Sequence, residues 1–428
     1  MSIVSESTLI RSAMRGGPDT DVPAARNKTR GLVIAARAPD NAEPEELMRR
    51  TDSVAAIAAT HAASVDRESR FPREAVDAMR TERMLSVAIP RELGGEGASI
   101  SDIVEVCYVL GRACASSAMI YAMHQSALAC LVRHGKDSAW HRQLLRRLCR
   151  EQLLLASSTT EGQSGGDVRN STAPIADVEA GITLERQATV ISYGAAADAI
   201  VTTARRSADA AKTDQALAVF LKQDYVLERL VGWDALGMRG TCSEGFKLVA
   251  HGSREQILPV GYEAIHVQTM VPVSHLAWSA AWAGIAAAAV ERTRAFVRKA
   301  AHRAGGTMPP GASHLTRASA SLRTLRSLVA TSLQRFESVA TDTEALASVD
   351  FQTAMNLLKV NASELAVTTV MSAMQACGIS GYRNDGEFSI GRHLRDILSS
   401  PIMISNDRIL ANVATASLLV GVQCSLRD

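Results

Sequence analysis

Apolar positions recur at helical spacing in the first third of the chain. One face of a helix is indicated by Ile103, Val106, Cys107, Leu110 and Cys114, because residues three and four apart share a side of an α-helix. Ser101 or Asp102 is the expected N-cap, since short polar side chains bond the free backbone N–H groups of a first turn. Residues 46–152 are therefore predicted to form a helical domain.

The pattern changes between residues 153 and 267. Val, Ile and Thr collect in short runs between Gly, Asp and Ser, which is typical of strands and turns. The clearest runs are Ala188–Ser192, Ile200–Thr203 and Ala218–Leu221. Regular alternation of strands with helices is missing, so a small β-barrel or sandwich is predicted rather than a doubly wound sheet.

Helical spacing returns from residue 268 to the end. The predicted helices are His275–Arg298, Ser321–Phe336, Phe351–Gln375 and Ile404–Val420. Glycine- or proline-bearing turns separate them, which indicates a C-terminal four-helix bundle. Residues 1–45 lack sustained apolar spacing and are expected to be a disordered tail. The predicted fold class is mainly α with a central β domain.

Composition excludes several functional classes. The chain has 428 residues with 47% hydrophobic and 21% charged side chains, as in ordinary soluble globular proteins. Its net charge of +2 gives no broad basic field for nucleic acid or an acidic membrane. The seven cysteines show neither a CxxC pair nor zinc-ligand spacing, so reduced thiols, no metal and a cytoplasmic location are expected.

Three segments carry candidate chemistry. Ser157–Asp167 follows an apolar run with hydroxyls and glycines, a combination that suits a flat polar heterocycle and its phosphates. Taken alone, the segment is more typical of a Ser/Gly-rich hairpin. Val190–Ala199 enters a tight turn at Ser192, which also fits a plain hairpin. Gln375–Tyr382 ends a long helix, and Gly378 is the expected C-cap.

Taken in order, these segments resemble the acyl-CoA dehydrogenase superfamily. Thr160-Glu161 with Gly165 and Asp167 is similar to the family's Thr-Glu-Pro-Gly-x-Gly-Ser-Asp loop, and Ile191–Gly194 to its Trp-Ile-Thr-Asn-Gly segment. The remaining likenesses are Phe71–Ala75 and Ile89–Gly95 in the first domain, Leu236–Gly240 in the β domain, and Gln375–Tyr382 with Arg392–Asp396 near the end. The resemblance runs from about Arg50 to Leu419.

The resemblance implies a flavin, FAD or alternatively FMN, held between the β domain and the C-terminal helices. By position, Thr159 and Thr160 would bond the flavin edge and Ser192 would lie near its reactive nitrogen. The cofactor phosphates or CoA would lie along Gly165 and Gly166. A neighbouring subunit of a homotetramer would contribute Gln375 and Gly378 to the flavin site. The implied partners are an acyl-CoA or acyl-carrier thioester, and an electron-transfer flavoprotein or a flavin reductase.

The family's catalytic base is missing at both of its usual positions. Dehydrogenation removes a proton α to a thioester carbonyl, which needs a carboxylate whose pKa is raised by an apolar site. Ungapped counting from Asp396 places Ile404 at the first position, and the second falls in Val273–Leu276, which holds no acid. Asp407, one helical turn from Ile404, and His275 are the alternative bases. His124 is a candidate for the substrate pocket.

Two further departures bear on the cofactor. The segment His302–Pro310 lacks the phenylalanine with which many members reach a partner's dinucleotide, which weakens the preference for FAD over FMN. Val190 replaces a tryptophan that many members place against the flavin. A dehydrogenase with an unusual base is the first expectation.

Two alternatives stay open because fold alone does not decide function. The first is a two-component flavin monooxygenase supplied with reduced flavin by a separate reductase. The missing glutamate fits it, but the histidine pair that such enzymes tend to carry is absent from Ser399–Ile404. The second is a catalytically weak flavin- or CoA-binding subunit.

Overall fold

The computed structural model describes residues 42–161 and 168–418. The predicted tail and the loop with Gly165 and Gly166 lie outside the described residues, apart from the tail's last four positions. The N-terminal region is helical, with two short 3₁₀ turns at Met84–Ser86 and Arg91–Leu93. Its α-helices are α1 Ala42–Glu68, α2 Arg73–Thr81, α3 Ile100–Ala113, α4 Ala115–His134 and α5 Ala139–Glu151.

The start of α3 corrects one sequence-based expectation. The N-cap is Ser99, not Ser101 or Asp102. The Ser99 hydroxyl accepts a hydrogen bond from the Asp102 backbone N–H at 3.2 Å, and the Asp102 carboxylate accepts one from the Ser99 N–H at 2.8 Å. This reciprocal capping box satisfies two otherwise free donors, so the helix begins two or three residues earlier than expected from the sequence.

The middle region contains two sheets. Its strands are β1 Leu155–Ser158, β2 Ile175–Val178, β3 Gly181–Ile191, β4 Ala199–Arg205, β5 Gln215–Leu221, β6 Tyr225–Val231 and β7 Glu244–Gly252. One sheet has the order β1-β4-β5, and the other has the order β2-β3-β7-β6. The chain leaves β3 at Ile191 and enters the other sheet at β4, so the Ser192 turn is a crossing between sheets and not a hairpin.

The C-terminal region is again helical. Its elements are α6 Tyr262–Ile265, a π-helical turn His266–Met270, α7 Val271–Arg303, α8 Ala312–Val339, α9 Thr343–Ala347, α10 Val349–Cys377, α11 Ile379–Tyr382, α12 Gly391–Ile397 and α13 Asn406–Ser417. Gly378 ends α10 with a φ of 55°, which confirms the predicted C-cap. The mainly α fold with a central β region is confirmed.

The continuous helix from Tyr262 to Arg303 packs against helices of both the N-terminal and the C-terminal region. It is long and apolar enough to cross a membrane by length and composition, but 89% of its apolar window is buried inside the protein. It packs against α3 and α4 on one side and α8 and α10 on the other. Apolar contacts with its neighbours therefore account for its hydrophobicity.

The crossing of α3 and α7 requires two glycines. A Cβ at Gly111 would lie 2.3 Å from the Ala281 carbonyl oxygen, and one at Gly284 would lie 2.2 Å from that of Tyr108. Both contacts involve helix backbone, which cannot swing aside as a flexible side chain does. The two helices therefore approach as closely as they do only because these positions lack a side chain.

We expect Gly111→Ala to lower the free energy of unfolding by about 1–3 kcal/mol, because the added methyl group overpacks the crossing. Gly232→Ala is the control, since a Cβ there meets nothing within 4 Å. Chemical denaturation of both variants measures the difference. Equal stability of the two variants would contradict the close approach.

Candidate active site

A cavity of about 280 Å³ opens where the β region meets the helices. It is bordered by the ends of β1 and β3, by α4, by the Tyr262–Arg303 helix, and by α10 and α13. Its described lining residues are Met123, Ser126, Ala127, Ser157, Thr159, Thr160, Val168, Arg169, Val190, Ser192, Tyr262, His266, Met270, Val271, Ser274, His275, Trp278, Asn356, Met403, Ile404, Arg408, Ile409 and Asn412. All three regions of the chain thus contribute to one site.

The predicted hydroxyl side chains meet at the β-sheet side of this cavity. Thr159 and Thr160 follow the end of β1, and Ser192 follows the end of β3. These segments belong to different sheets, so their convergence depends on how the two sheets pack. The residues proposed for the flavin edge and its reactive nitrogen therefore line the same space.

Ser192 belongs to a chain of hydroxyl groups with a fixed direction. Its Oγ lies 2.8 Å from Ser243 Oγ, which lies 2.8 Å from Thr241 Oγ1. The Thr241 hydroxyl donates to the Met238 carbonyl oxygen at 2.8 Å, because that oxygen has no proton to give. Ser243 must then donate to Thr241, and Ser192 to Ser243. The Ser192 oxygen consequently faces a ligand as a hydrogen-bond acceptor.

His275 lies on the helical side of the cavity, in the second turn of α7. Its Nδ1 is 2.9 Å from the Met355 carbonyl oxygen and must donate to it. The imidazole therefore carries its lone pair on Nε2. Burial lowers the pKa of His275 to about 4, so the ring is neutral near pH 7. The side chain offers a neutral acceptor to the cavity.

No described residue that lines the cavity is an aspartate or a glutamate. Ile404, the residue at the family's glutamate position by counting, does line it. Its backbone has a φ of 49°, an uncommon conformation for a β-branched residue. The neighbouring Met403 adds a second apolar side chain. The apolar side chains of Ile404 and Met403 therefore lie in the part of the cavity where a catalytic carboxylate was expected.

The remaining candidates, Asp407 and His124, do not line this cavity. Asp407 is exposed in the first turn of α13 and does not line the cavity. His124 is fully buried, with Nδ1 accepting from the Leu155 N–H at 3.0 Å and Nε2 donating to the Leu85 carbonyl oxygen at 2.6 Å. Both ring nitrogens are thus engaged in hydrogen bonds that link β1 to the N-terminal helical region. Met123 and Ser126, on either side of it, face the cavity instead.

Gln375 and Gly378 are exposed at the end of α10, and neither lines the cavity. Within one chain they have no access to a ligand bound there. Their predicted role at the flavin therefore needs a second copy of the chain. Gly165 and Gly166 lie outside the described residues.

Trp278 is a cavity residue that sequence reasoning missed. Its ring centroid lies 5.7 Å from that of His275, one helical turn away. Its Nε1–H is buried without a hydrogen-bond partner in the described part of the chain. The i, i+3 spacing from His275 was the available signal, because such residues share a helix face. An unmet buried donor beside a cavity points to a ligand acceptor.

Lys359 holds the backbone of the Ile404 segment by hydrogen bonds. Its side chain is completely buried, and its amine donates to the Ile404 carbonyl oxygen and to Asn406 Oδ1, both at 2.7 Å. Burial lowers the pKa of this amine to about 7. A buried lysine thus fixes the backbone that presents Ile404 to the cavity.

The pKa of Lys359 predicts a pH dependence of stability. Its folded pKa of about 7 lies below the ordinary value of 10.5, so between these pH values the unfolded chain binds more protons. We expect this residue to raise the free energy of unfolding by up to about 1.4 kcal/mol per pH unit as pH rises through that window. Denaturation of the wild type and Lys359→Met at several pH values checks this. The same slope in both proteins would contradict it.

Family comparison agrees with the architecture around this cavity. The model of the acyl-CoA dehydrogenase N-terminal domain matches residues 43–152, and the model of the acyl-CoA dehydrogenase C-terminal domain matches residues 266–419. The chain belongs to the acyl-CoA dehydrogenase superfamily. The two matches flank the β region and include the helices that border the cavity.

Relatives of this acyl-CoA dehydrogenase superfamily member differ in how much of their length aligns with it. The 3-sulfinopropanoyl-CoA desulfinase of Paraburkholderia xenovorans is 35% identical over 108 residues, which are 25% of this chain and only 27% of that relative. The amino sugar nitrososynthase DnmZ of Streptomyces peucetius is 25% identical over 355 residues, 79% of this chain and 84% of that protein. The likeness to the desulfinase thus covers about a quarter of that protein.

Solved structures share the fold of this superfamily member over nearly their whole length. KijD3 in complex with FMN and a dTDP-linked amino sugar has a TM-score of 0.76 at 19% identity, covering 91% of this chain and 97% of that chain. Butyryl-CoA dehydrogenase from Megasphaera elsdenii has a TM-score of 0.75 at 17% identity, covering 90% and 100%. At these identities the likeness establishes the fold alone.

Proposed function

We propose that this protein is a flavin-dependent monooxygenase that accepts reduced FMN from a separate reductase and transfers one oxygen atom of O₂ to a small organic substrate. The observation that carries the proposal is the absence of any carboxylate among the described residues of the cavity, where Ile404 stands at the position that counting from Asp396 assigns to the family's base. Oxygen transfer does not require a strong base at that place.

The residues of the cavity fit poorly with abstraction of a thioester α-proton. Such a carbon acid is very weak, so its base needs a raised pKa to be effective. His275 is the basic group that faces the cavity with a defined lone pair, but its pKa is lowered to about 4. A neutral imidazole of this basicity suits proton transfer from nitrogen or oxygen far better than from carbon.

The same residues fit a flavin. Ser192 presents an acceptor, Trp278 presents an unmet N–H donor, and Thr159 and Thr160 add hydroxyls, which together match the mixed donors and acceptors of the ring edge. Arg169 and Arg408 place guanidinium groups in the lining, and such groups bind phosphate oxygens. A bound reduced flavin supplies the activation of O₂.

The remaining lining residues define what the protein itself contributes. Ile404, Met403 and Val190 exclude water from the space next to the cofactor's place. His275 Nε2 is positioned to accept a proton from an N–H or O–H of the substrate as oxygen is transferred. Support for FMN comes from KijD3, solved with FMN, and from the altered His302–Pro310 segment. DnmZ, similar over 84% of its length, is named an amino sugar nitrososynthase.

Oxygen transfer is tested with FMN, NADH and a purified flavin reductase under isotopically labelled dioxygen. A panel of primary amines, thioethers and indoles serves as the substrate probe, and mass spectrometry detects the label. Incorporation that requires this protein, and not the reductase alone, supports the proposal. Uncoupled reoxidation of flavin at the same rate with and without the protein would contradict it.

The acceptor role of Ser192 predicts a preference between flavin redox states. Reduced flavin presents a ring N–H that oxidised flavin lacks, and an acceptor stabilises only the former. We expect Ser192→Ala to weaken binding of reduced FMN about fivefold, which corresponds to about 1 kcal/mol for one hydrogen bond. Binding of oxidised FMN should change less. Anaerobic titrations of both redox states measure this, with Ser192→Thr as the conservative control; equal effects on both states would refute the assignment.

Acyl-CoA dehydrogenation is the second candidate function. It is favoured by the likeness to butyryl-CoA dehydrogenase over that protein's full length. Two relatives named cyclohex-1-ene-1-carbonyl-CoA dehydrogenase, of Syntrophus aciditrophicus and Geobacter metallireducens, also align over 84% of this chain. In this reading His275 would have to act as the base. An assembly of several copies would suit both candidates, since it brings the exposed Gln375 and Gly378 to a neighbouring chain.

A further inference from the structure

A second cavity, of about 730 Å³, lies beside the loop between β6 and β7. It is formed by the C-terminal end of α1, the loop between β6 and β7, α7, and the segment that leads into α12. It shares no lining residue with the candidate active site. It is therefore a separate candidate binding site, and a ligand bound there need not be the substrate of the proposed oxygenation.

The described lining of this cavity is strongly basic. It contains five arginines, Arg67, Arg239, Arg292, Arg392 and Arg395, and one acid, Asp66, so these residues sum to +4. Asp66 forms an ion pair with Arg395. Arg239 lies 3.5 Å from the exposed Asp234, and Arg67 lies 2.9 Å from Glu68. The two remaining guanidinium groups are those of Arg292 and Arg392.

Arg292 and Arg392 have no carboxylate within ion-pair distance in the described parts of the chain. Both are half-buried. Arg292 donates only to the Ser389 carbonyl oxygen at 3.1 Å. Burial and the charge of Arg392 lower the pKa of Arg292, which shows that the two cations oppose each other. Two like charges held together in a concave site are stabilised when an anion binds between them.

His393 provides a second, independent feature of the same cavity. The residue is only 6% exposed, and its Nδ1 is buried without a hydrogen-bond partner among the described residues. Burial and the nearby Arg392 and Arg292 lower its pKa to about 3, so the ring is neutral and can donate one N–H. A bound acceptor would pair with this atom and remove the cost of burying it without a hydrogen bond.

We propose that this cavity binds a small molecule bearing a diphosphate group, with Arg292, Arg392 and His393 as its recognition residues. Guanidinium groups bind phosphate oxygens through paired hydrogen bonds, and two arginines match two phosphates. The volume exceeds what one inorganic phosphate fills, so there is room for an organic substituent. Nucleoside diphosphates are one ligand class with this combination of charge and size.

Titration calorimetry of the full-length protein with inorganic pyrophosphate and with ADP, in chloride buffer, tests the proposal. We expect Arg392→Gln to weaken pyrophosphate binding at least tenfold, Arg392→Lys to retain part of it, and Arg298→Gln to leave it unchanged. Arg298 is the matched control because it is exposed on α7 and outside the cavity. Arg292→Gln is the second test variant, and thermal denaturation confirms that each variant is folded. Tighter binding of ADP than of pyrophosphate would support recognition of the nucleoside as well.

Three outcomes would overturn the proposal. The first is no heat of binding with either probe, and the second is equal weakening by Arg298→Gln, which would indicate a nonspecific charge effect. The third is a change of oligomeric state in Arg392→Gln, measured by light scattering, with no change in pyrophosphate binding. That result would mean that an acidic side chain of another copy fills the cavity.

Discussion

Replacing His275 with alanine is expected to reduce the turnover of the flavin-loaded protein about 10²–10⁴-fold, the usual contribution of a positioned acid or base. The expectation rests on geometry: Nδ1 is committed to the Met355 carbonyl oxygen, so Nε2 is the acceptor offered to the cavity. Affinity for FMN should change little, because the substitution removes a proton acceptor and not the polar edge at Ser192.

The pH profile separates this role from a structural one. Because the pKa of His275 is lowered to about 4, its acceptor stays intact down to that pH. Turnover through this group should therefore fall as pH drops toward 4, and not near 6.5 as for an ordinary histidine. His302→Ala, at the exposed end of α7, is the control. Wild-type turnover in His275→Ala would refute the assignment.

Arg186→Met is expected to cost about 3–5 kcal/mol of folding stability, as does the loss of one partner from a buried ion pair. The Arg186 side chain is completely buried in the β region and faces Glu161 at 3.5 Å. It also donates to the Ser158 carbonyl oxygen and to Thr202 Oγ1, both at 3.0 Å. Without it the Glu161 carboxylate stays buried and keeps its hydrogen bond from the Thr172 N–H, but it loses the opposite charge of Arg186.

Two comparisons make this prediction specific. Arg229→Met breaks an ion pair with Glu244 in the same region, but that arginine is 65% exposed, so the cost should stay below about 1 kcal/mol. Adding Glu161→Gln to Arg186→Met removes the buried carboxylate charge that Arg186 no longer balances and should restore part of the stability. Urea denaturation followed by circular dichroism measures all three variants. A cost for Arg186→Met no larger than that for Arg229→Met would show that the buried pair does not stabilise the fold.

The features that the sequence predicted are those set by local spacing. The apolar face of α3 through Ile103, Val106 and Leu110 is buried, because periodicity within one helix decides which side packs inward. The C-cap at Gly378 followed from its place after a long helix. Strand ends and the family resemblance were enough to predict that Thr159, Thr160 and Ser192 line the cavity.

The features that the sequence did not predict depend on contacts between distant segments. His124 looked like a pocket residue, but Leu85 and Leu155, which lie far from it in sequence, occupy both of its nitrogens. Lys359 sits in a helix where a lysine is normally solvated. Its burial becomes visible only once Ile404 and Asn406 are folded against it. The N-cap of α3 was missed because the reciprocal Ser99–Asp102 bonds outweigh the apolar spacing.

Anaerobic mixing of the flavin-reconstituted protein with a panel of saturated acyl-CoA thioesters tests the central claim most directly. The readout is the visible absorbance of oxidised flavin, which disappears when a substrate reduces it. A cavity with Ile404 in place of a carboxylate predicts no bleaching by any thioester, while NADH and a reductase bleach the same sample. Bleaching by an acyl-CoA in the absence of reductase would contradict the account and establish the dehydrogenase.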